Sequence, residues 1–374
     1  MKHILLVRSG PYQVDPKSYN LQELGLAAAF KKYGIKCDVA YFHKNKNFDQ
    51  IIKKNDVEIK VLWRKGIRIL RSGIYPSLLK DEFLKEYDAV ICSEYSQIMS
   101  ILFTKKIKTY VYNGPYYNLF KIPITEPIYD RIFSNFLNSK VEKVFCKTNR
   151  SEKFLNKKGI LNTVVTGVGL DTSNFNVSYD LSNEMHDVLK GMSNHRNLLY
   201  IGSISKRKNV ELIIKIFNEI TKYRQYDDVQ LIIVGKGSNK YVNYCKSLTT
   251  ENSKHRILWL DHVNNSQVKY LYEKASIFLL PSIKEIFGMV LLEAMYFGMP
   301  VVSSNNAGAD TLINNEKNGC IIDTFDQEKW VAKIMQLLNN EKIRDHIGNE
   351  AHKTIMNNFM WDNVASKMAT YIND

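Results

Sequence analysis

The stretch PSIKEIFGMVLLEAMYFGMPVV, Pro281 to Val302, places two carboxylates, Glu285 and Glu293, in a segment built for a protein interior. Ile286, Phe287, Val290, Leu291 and Leu292 lie between them. An unpartnered buried carboxylate costs several kcal/mol, so each acid must meet a partner or a ligand. Pro281 and Ser282 close an apolar run, IFLLPS, that reads as a strand, and a helix is expected to begin near Gly288. PVVSSN (300–305) then opens the next strand. Strand, helix and strand of this apolar character form the repeating unit of an α/β sheet.

The same unit recurs on both sides. Before it come NLLYIGS (197–203), VQLIIVGKG (229–237) and RILWLDH (256–262), and after it GCIID (319–323). The first half repeats the pattern with HILLV (3–7), KCDVAYF (36–42), DAVICSE (88–94), KTYVYNG (108–114), KVFCKT (143–148) and VVTGVG (164–169). Runs that are apolar throughout fit parallel strands covered on both faces. Asn20 and Glu23 have capping-box spacing before the first helix, and Gly34 marks its stop. The pattern lapses over the polar residues 173–195. The chain therefore reads as two doubly wound Rossmann-like domains, 1–180 and 181–357, facing a central cleft, with a C-terminal helix at about 358–374 packing back on the first.

Composition narrows the function. At 374 residues and 45% hydrophobic, the chain can bury two cores. Five scattered cysteines without a C-x-x-C pair argue for reduced thiols and a cytoplasmic protein, and against a zinc site. No apolar run reaches the ~18 residues of a membrane span. Residues 1–180 carry 29 lysines and arginines against 17 acids, whereas 181–374 carry 23 against 21. The first half alone thus has an electrostatic reason to meet an anionic surface. GKGSNK (235–240) lacks the third glycine of a dinucleotide fingerprint, and no P-loop pattern occurs.

Eight helical steps span at most ~12 Å. That is wider than the roughly 5–9.5 Å between the paired acids of a glycosidase. It suits two anchor points on one elongated ligand, with the backbone amides of Gly288, Met289 and Val290 between them at a helix N-terminus ready for a diphosphate. Hydroxyls at both ends and phosphates in the middle describe a nucleotide sugar.

Residues 281–313, PSIKEIFGMVLLEAMYFGMPVVSSNNAGADTLI, resemble the donor-site signature of family-4 retaining glycosyltransferases of the GT-B fold, with its E-x7-E motif. YIGSISKRKNVELIIKIF (200–217), LIIVGKG (231–237), WLDHVNNSQVKYLYEKASIFLLPS (259–282) and VVTGVGLDTSNF (164–175) fit in order. The resemblance implies an acceptor-binding first domain and a donor-binding second one. It implies that Glu285, beside Phe287, holds donor-sugar hydroxyls and Glu293 the ribose. Lys208, after Gly202, is implied as the diphosphate lysine, and the main chain at Val263 as the place where the base stacks. Gly10 matches the glycine loop facing the diphosphate. Two departures stand out. Ser203 occupies the usual arginine position, leaving Lys206 or Arg207 to supply a second charge, and AGAD with Thr311 replaces a glycine pair and an acid.

Relatives carry a histidine in the first domain. Asn113, in YNGPYYN (112–118), is expected in its place, and Glu94 and Tyr116 are expected to contact the acceptor. WRKGIRILRSGIY (63–75) reads as a basic amphipathic helix for a membrane surface: Trp63 and Ile67 lie in an apolar stripe flanked by Arg64, Lys65, Arg68 and Arg71.

The expected activity is that of a hexosyl- or acetylhexosaminyl-transferase. It takes a nucleotide sugar, with UDP the first choice of carrier, to a glycan or polyprenyl-diphosphate-linked acceptor at the inner face of the cell membrane. The setting expected from the family is capsule or other surface-polysaccharide assembly. No cofactor or metal is expected, and the leaving phosphate itself takes the acceptor proton during front-face attack. A nucleotide-sugar epimerase on the same fold is the alternative. A basic nucleic-acid-binding protein ranks below both, since it leaves the glutamate pair without purpose.

Overall fold

Continuously buried apolar runs become the central strands of two separate sheets. In the computed structural model, which describes residues 1–15, 21–69, 71–120, 122–173, 175–177 and 180–374, the chain forms two units. Unit 1 comprises Met1–Asp171 with Phe359–Asp374, and unit 2 comprises Thr172–Asn358.

The strands of unit 1 are β1 (Lys2–Val7), β2 (Ile35–His43), β3 (Phe48–Lys54), β4 (Val57–Lys65), β5 (Ile67–Ile69), β6 (Ser72–Ile74), β7 (Ala89–Ser93), β8 (Thr109–Asn113), β9 (Val144–Cys146) and β10 (Thr163–Val165). Among the described residues, eight of them form one sheet in the order β10-β9-β8-β7-β1-β2-β4-β3, and β5 pairs with β6 apart from it. Every neighbouring pair in the large sheet is parallel except β3 with β4. The order reverses between β1 and β7, the position at which open α/β sheets bind ligands beyond their strand ends. Helix Gln22–Phe30 covers one face and receives the C-terminal helix Trp361–Asn373, where the Tyr33 hydroxyl donates to the Asp362 carbonyl at 3.0 Å.

Unit 2 has β11 (Arg196–Ile201), β12 (Val229–Val234), β13 (Ile257–Leu260), β14 (Ile277–Leu280), β15 (Val301–Ser304) and β16 (Cys320–Ile322). They form a parallel sheet ordered β13-β12-β11-β14-β15-β16, whose reversal lies between β11 and β14. The polar stretch after residue 173 is not loop throughout. Ser182 caps helix Asn183–Met192, its hydroxyl accepting from the Met185 amide at 3.2 Å.

Two expectations need correction or restriction, and one element was missed. Residues 63–75 are not a helix. Trp63, Arg64 and Lys65 end strand β4, and Ile67–Ile69 pairs with Ser72–Ile74 in the β5–β6 hairpin. Trp63 is 3% exposed and stacks on Phe48 at 5.8 Å, while buried Arg64 pairs with Asp49 at 2.5 Å, so neither meets a membrane. The helical spacing of its apolar residues was a coincidence of strand, bend and hairpin, and Gly66 permits the bend because an added Cβ would fall 2.7 Å from the Phe42 ring. The whole β3–β4 hairpin escaped the sequence reading. Its signal was the Asn55-Asp56 pair, both at positive φ (48° and 59°), the conformation of a tight hairpin turn. The capping-box residue Asn20 lies outside the described residues. Its partner Glu23 instead accepts from Arg8 at 3.2 Å, and Gly34, at φ 71°, does end the helical segment.

Burial inside a sheet has a measurable consequence. Trp63→Ala should destabilise unit 1 by about 3–5 kcal/mol, whereas Arg68→Ala, at an exposed hairpin position, should change stability by less than about 0.5 kcal/mol. Chemical denaturation of the two variants checks this, and similar small effects in both would argue for the surface-helix geometry.

Candidate functional site

In unit 2 the loops that follow β11 and β14 meet at the reversal point of the sheet. After β11 the chain passes Gly202 and the exposed Ser203, turns through Lys206–Lys208, and enters helix Val210–Ile220. After β14 it passes Ile283 and Glu285 before helix Met289–Tyr296. Two hydrogen bonds strap the loops together. The Ile283 amide donates to the Arg207 carbonyl at 2.9 Å, and the Arg207 guanidinium donates to the Lys284 carbonyl at 2.7 Å.

Across that strap the buried Lys208 ammonium pairs with Glu285 Oε2, and Arg207 approaches the same oxygen at 3.5 Å. Arg207 thus brings a second positive charge to the carboxylate that Lys208 holds. Ser203 contributes only its carbonyl, which accepts from the Tyr200 hydroxyl at 2.9 Å.

The helix that follows begins at a left-handed Gly288, φ 80°, a backbone state that costs a residue with Cβ roughly 1–2 kcal/mol. The first amide to bond inside the helix is that of Leu291, to the Gly288 carbonyl at 2.8 Å. Its positive end, at Met289 and Val290, opens just after Glu285 and the buried Phe287. A Cβ on Gly308 would fall 1.7 Å from the Phe287 carbonyl oxygen, so this glycine lets helix Ala307–Leu312 press directly on the loop. Thr311, where an acid was expected, donates to the Ala307 carbonyl of its own helix at 2.9 Å.

The structure brings Lys208, Arg207, Glu285, Phe287 and Gly288 together. Glu293 is buried, and its carboxylate accepts from the Tyr272 hydroxyl at 2.9 Å. Tyr272 lies on helix Asn265–Lys274 and stacks on Phe297 at 5.3 Å. The sequence reading missed this tyrosine because nothing in the spacing of 272 and 293 announces a contact. Val263 is buried in the turn between β13 and helix Asn265–Lys274.

In unit 1 a second group of polar residues gathers where the sheet order reverses. The Ser9 amide donates to Ser93 Oγ at 2.9 Å, tying the loop after β1, which carries the buried Gly10, to the end of β7. The β5–β6 hairpin folds onto both. The Gly73 amide donates to the Ser9 carbonyl, and Ser72 Oγ accepts from the Ile98 amide at 2.8 Å. Arg71, in the turn of this hairpin, pairs with Glu94 at 3.0 Å, and Gln97 donates to the same carboxylate oxygen at 3.3 Å. Glu94 is held at φ 59°, a strained backbone for a side chain of its size. Lys147, just past β9, was also missed. It donates to Gln22 at 2.7 Å and lies over the Tyr112 ring at 4.5 Å. Desolvation pushes its pKa below the usual lysine value, while Glu23 and Glu94 pull the other way.

Asn113, expected in the place of a reacting-centre histidine, is engaged in the structure of its own loop. It is fully buried: its Oδ1 accepts from the Tyr95 amide at 3.0 Å, and its Nδ2 donates to the Pro115 carbonyl and Ser151 Oγ. These bonds tie the end of β8 to the segment after β7 and to helix Asn149–Asn156. Tyr116, half-buried in the same loop, meets Tyr117 edge to face at 5.0 Å.

Residues 183–354 match the family model described as glycosyl transferases, group 1. The chain is 26% identical over 205 residues to an uncharacterized glycosyltransferase of Methanocaldococcus jannaschii, covering 54% of this chain and 51% of the relative. It is 30% identical over 189 residues to a capsular polysaccharide biosynthesis glycosyltransferase, CapM, of Staphylococcus aureus, covering 47% and 46%. The chain thus spans about half the length of the curated relatives it matches. The crystal structure of Anabaena HepE in complex with UDP superposes with a TM-score of 0.74 at 16% identity, over 100% of each chain. That likeness extends across both units and concerns the fold.

Removing one partner of the Lys208–Glu285 pair leaves a largely buried charge. Lys208→Met should cost about 1–3 kcal/mol, and Glu285→Gln in the same chain should return most of that loss. A double-mutant cycle by denaturation measures the coupling, and a value near zero would mean that the pair contributes nothing to the fold of the loops.

Proposed function

We propose that this chain, a group 1 glycosyltransferase by its second unit and GT-B in fold, transfers a hexosyl or acetylhexosaminyl group with retention of configuration from a UDP-sugar to a glycan or polyprenyl-diphosphate-linked acceptor. The observation that carries the reading is the Lys208–Glu285 pair, set across the reversal point of the unit 2 sheet beside a helix N-terminus. A diphosphate needs fixed positive charge, and a sugar needs a fixed carboxylate to accept from its hydroxyls. Here each group already holds the other in place. The UDP assignment draws on HepE, whose structure contains that nucleotide. The surface-polysaccharide role draws on CapM.

In this scheme the diphosphate lies against the positive end of helix Met289–Tyr296, with Lys208 and Arg207 on its oxygens. As the glycosidic bond breaks, negative charge accumulates on the leaving phosphate, and these groups stabilise it without reorganising. The acceptor hydroxyl attacks from the side on which the diphosphate departs, and its proton passes to the leaving oxygen. Glu285 accepts from donor-sugar hydroxyls. Glu293, oriented by Tyr272, accepts from the ribose. Glu94 and its partner Arg71 receive the acceptor on unit 1, which gives purpose to the strained backbone at Glu94. The reaction needs no metal ion in this account, and the protein works at the inner face of the cell membrane.

Thermal unfolding against UDP-, GDP-, ADP- and dTDP-sugars tests donor binding. A ligand at ~100 times its Kd adds roughly 2.7 kcal/mol to the folded state. One UDP-sugar should give this shift in the native chain and none in Lys208→Ala. A response to no nucleotide sugar would contradict the reading. Transfer should persist in excess EDTA.

Glu94→Gln should lower kcat/KM for the acceptor about 10–100-fold, the worth of one hydrogen bond to a charged group. Donor affinity should stay unchanged, and an equal loss of donor affinity would take Glu94 out of the acceptor role.

A further inference from the structure

Helix Thr125–Lys140 of unit 1 is apolar on two faces, and only one of them is buried. Tyr129, Phe133, Phe136 and Leu137 pack into the core beside β8 and β9. On another side stand Ile124 at the cap, Ile128 and Ile132, exposed by 65%, 54% and 59%, with Ile122 exposed by 63% just before them. At ~100° per residue the three successive isoleucines span an arc of about 80°. The charges are sorted between the same faces. Both acids of the helix, Glu126 and Asp130, pair with the largely buried Lys158. Arg131 is exposed among the isoleucines, and no aspartate or glutamate among the described residues 122–140 is classed as exposed.

An unpartnered ladder of four large apolar residues is rare on a soluble surface and marks an interaction site. Its rim chooses the partner. It belongs to the half of the chain with 29 basic residues against 17 acidic, and it contributes cations without acids. We propose that the Ile122–Ile124–Ile128–Ile132 ladder, with Arg131 on the same face, lays unit 1 on the surface of an anionic lipid bilayer. An apolar stripe with a cationic edge and no length for spanning is the form of an interfacial helix, and no helix among the described residues is long and apolar enough to cross a membrane.

Position adds a reason. Phe120, just before the ladder, packs on Tyr129 at 5.7 Å, and the Arg71 guanidinium lies over its ring at 6.0 Å. Arg71 is the partner of Glu94. The residue that precedes the ladder therefore adjoins the polar group at the reversal point of the unit 1 sheet. The same hairpin exposes Ile67, Arg68 and Ile69, which extends the apolar and cationic character. A bilayer on this side would deliver a lipid-linked acceptor next to Glu94. That purpose rests on the acceptor reading above, but the docking itself does not.

The test is flotation of the full chain with phosphatidylcholine vesicles, with and without phosphatidylglycerol, in the absence of donor and acceptor. Binding is expected only with the anionic lipid and should weaken as salt is raised. Ile124→Ser/Ile128→Ser/Ile132→Ser should reduce partitioning by about tenfold or more, and Arg131→Gln by about fivefold. Neither should move the thermal midpoint appreciably, because the side chains are exposed. As a gain of signal, Ile128→Trp should shift its fluorescence to the blue on anionic vesicles alone. Equal flotation of native and triple variant would overturn the proposal. So would a concentration-dependent dimer that the triple variant abolishes with no vesicle binding, since a second copy would then occupy the face. If vesicles are not bound but a soluble acceptor is still glycosylated, docking fails and the transferase reading stands.

Discussion

The contact on which the second unit's chemistry depends is the ion pair between Lys208 and Glu285. It joins two loops that are far apart in sequence but follow adjacent strands, β11 and β14, at the point where the sheet order reverses. Diverging helices on either side of that point leave room for a ligand. A cation and a carboxylate fixed within hydrogen-bond reach of each other, beside a helix N-terminus, offer complementary partners to a phosphate and to a hydroxyl-bearing ring. Neither charge could be kept in so enclosed a place without the other. The pair therefore fixes the two loops relative to each other within the unit.

Much of this is legible in the sequence, because parallel strands covered on both faces must be continuously apolar. HILLV, VQLIIV and IFLL could be placed without knowing their partners. Glu285 was legible as a carboxylate set in an apolar segment, whereas Lys208 was reached only through the resemblance of its KRKN turn to a family signature. What escaped depended on contacts between distant segments. Trp63 and Ile67 have helical spacing on paper, yet Trp63 stacks across an antiparallel pair on Phe48, a residue fifteen positions earlier in a strand with weak apolar alternation. Asn113 stands at a strand end, the usual place for a ligand-binding residue. Only the three-dimensional structure shows its amide bonded to Tyr95, Pro115 and Ser151. Tyr272, which orients Glu293, belongs to a different helix and carries no local signal.

The two units divide the electrostatics. Unit 2 belongs to the half of the chain that is nearly neutral, and Arg207 and Lys208 meet at one carboxylate there. Unit 1 spreads its excess charge over its surface and adds an exposed isoleucine ladder. Replacing the basic helix expected at 63–75 by a buried strand does not remove the apolar and cationic surface. It moves it to helix Thr125–Lys140 and to the outer residues of the β5–β6 hairpin.

The central claim is that the Lys208–Glu285 pair opens onto the donor's diphosphate and sugar. A crystal structure of the chain with UDP and an intact UDP-sugar tests it most directly. The account predicts phosphate oxygens within hydrogen-bond distance of Lys208 Nζ and of the Met289 and Val290 amides, with sugar hydroxyls donating to Glu285. A nucleotide bound elsewhere, with Lys208 and Glu285 still paired only to each other, would contradict it.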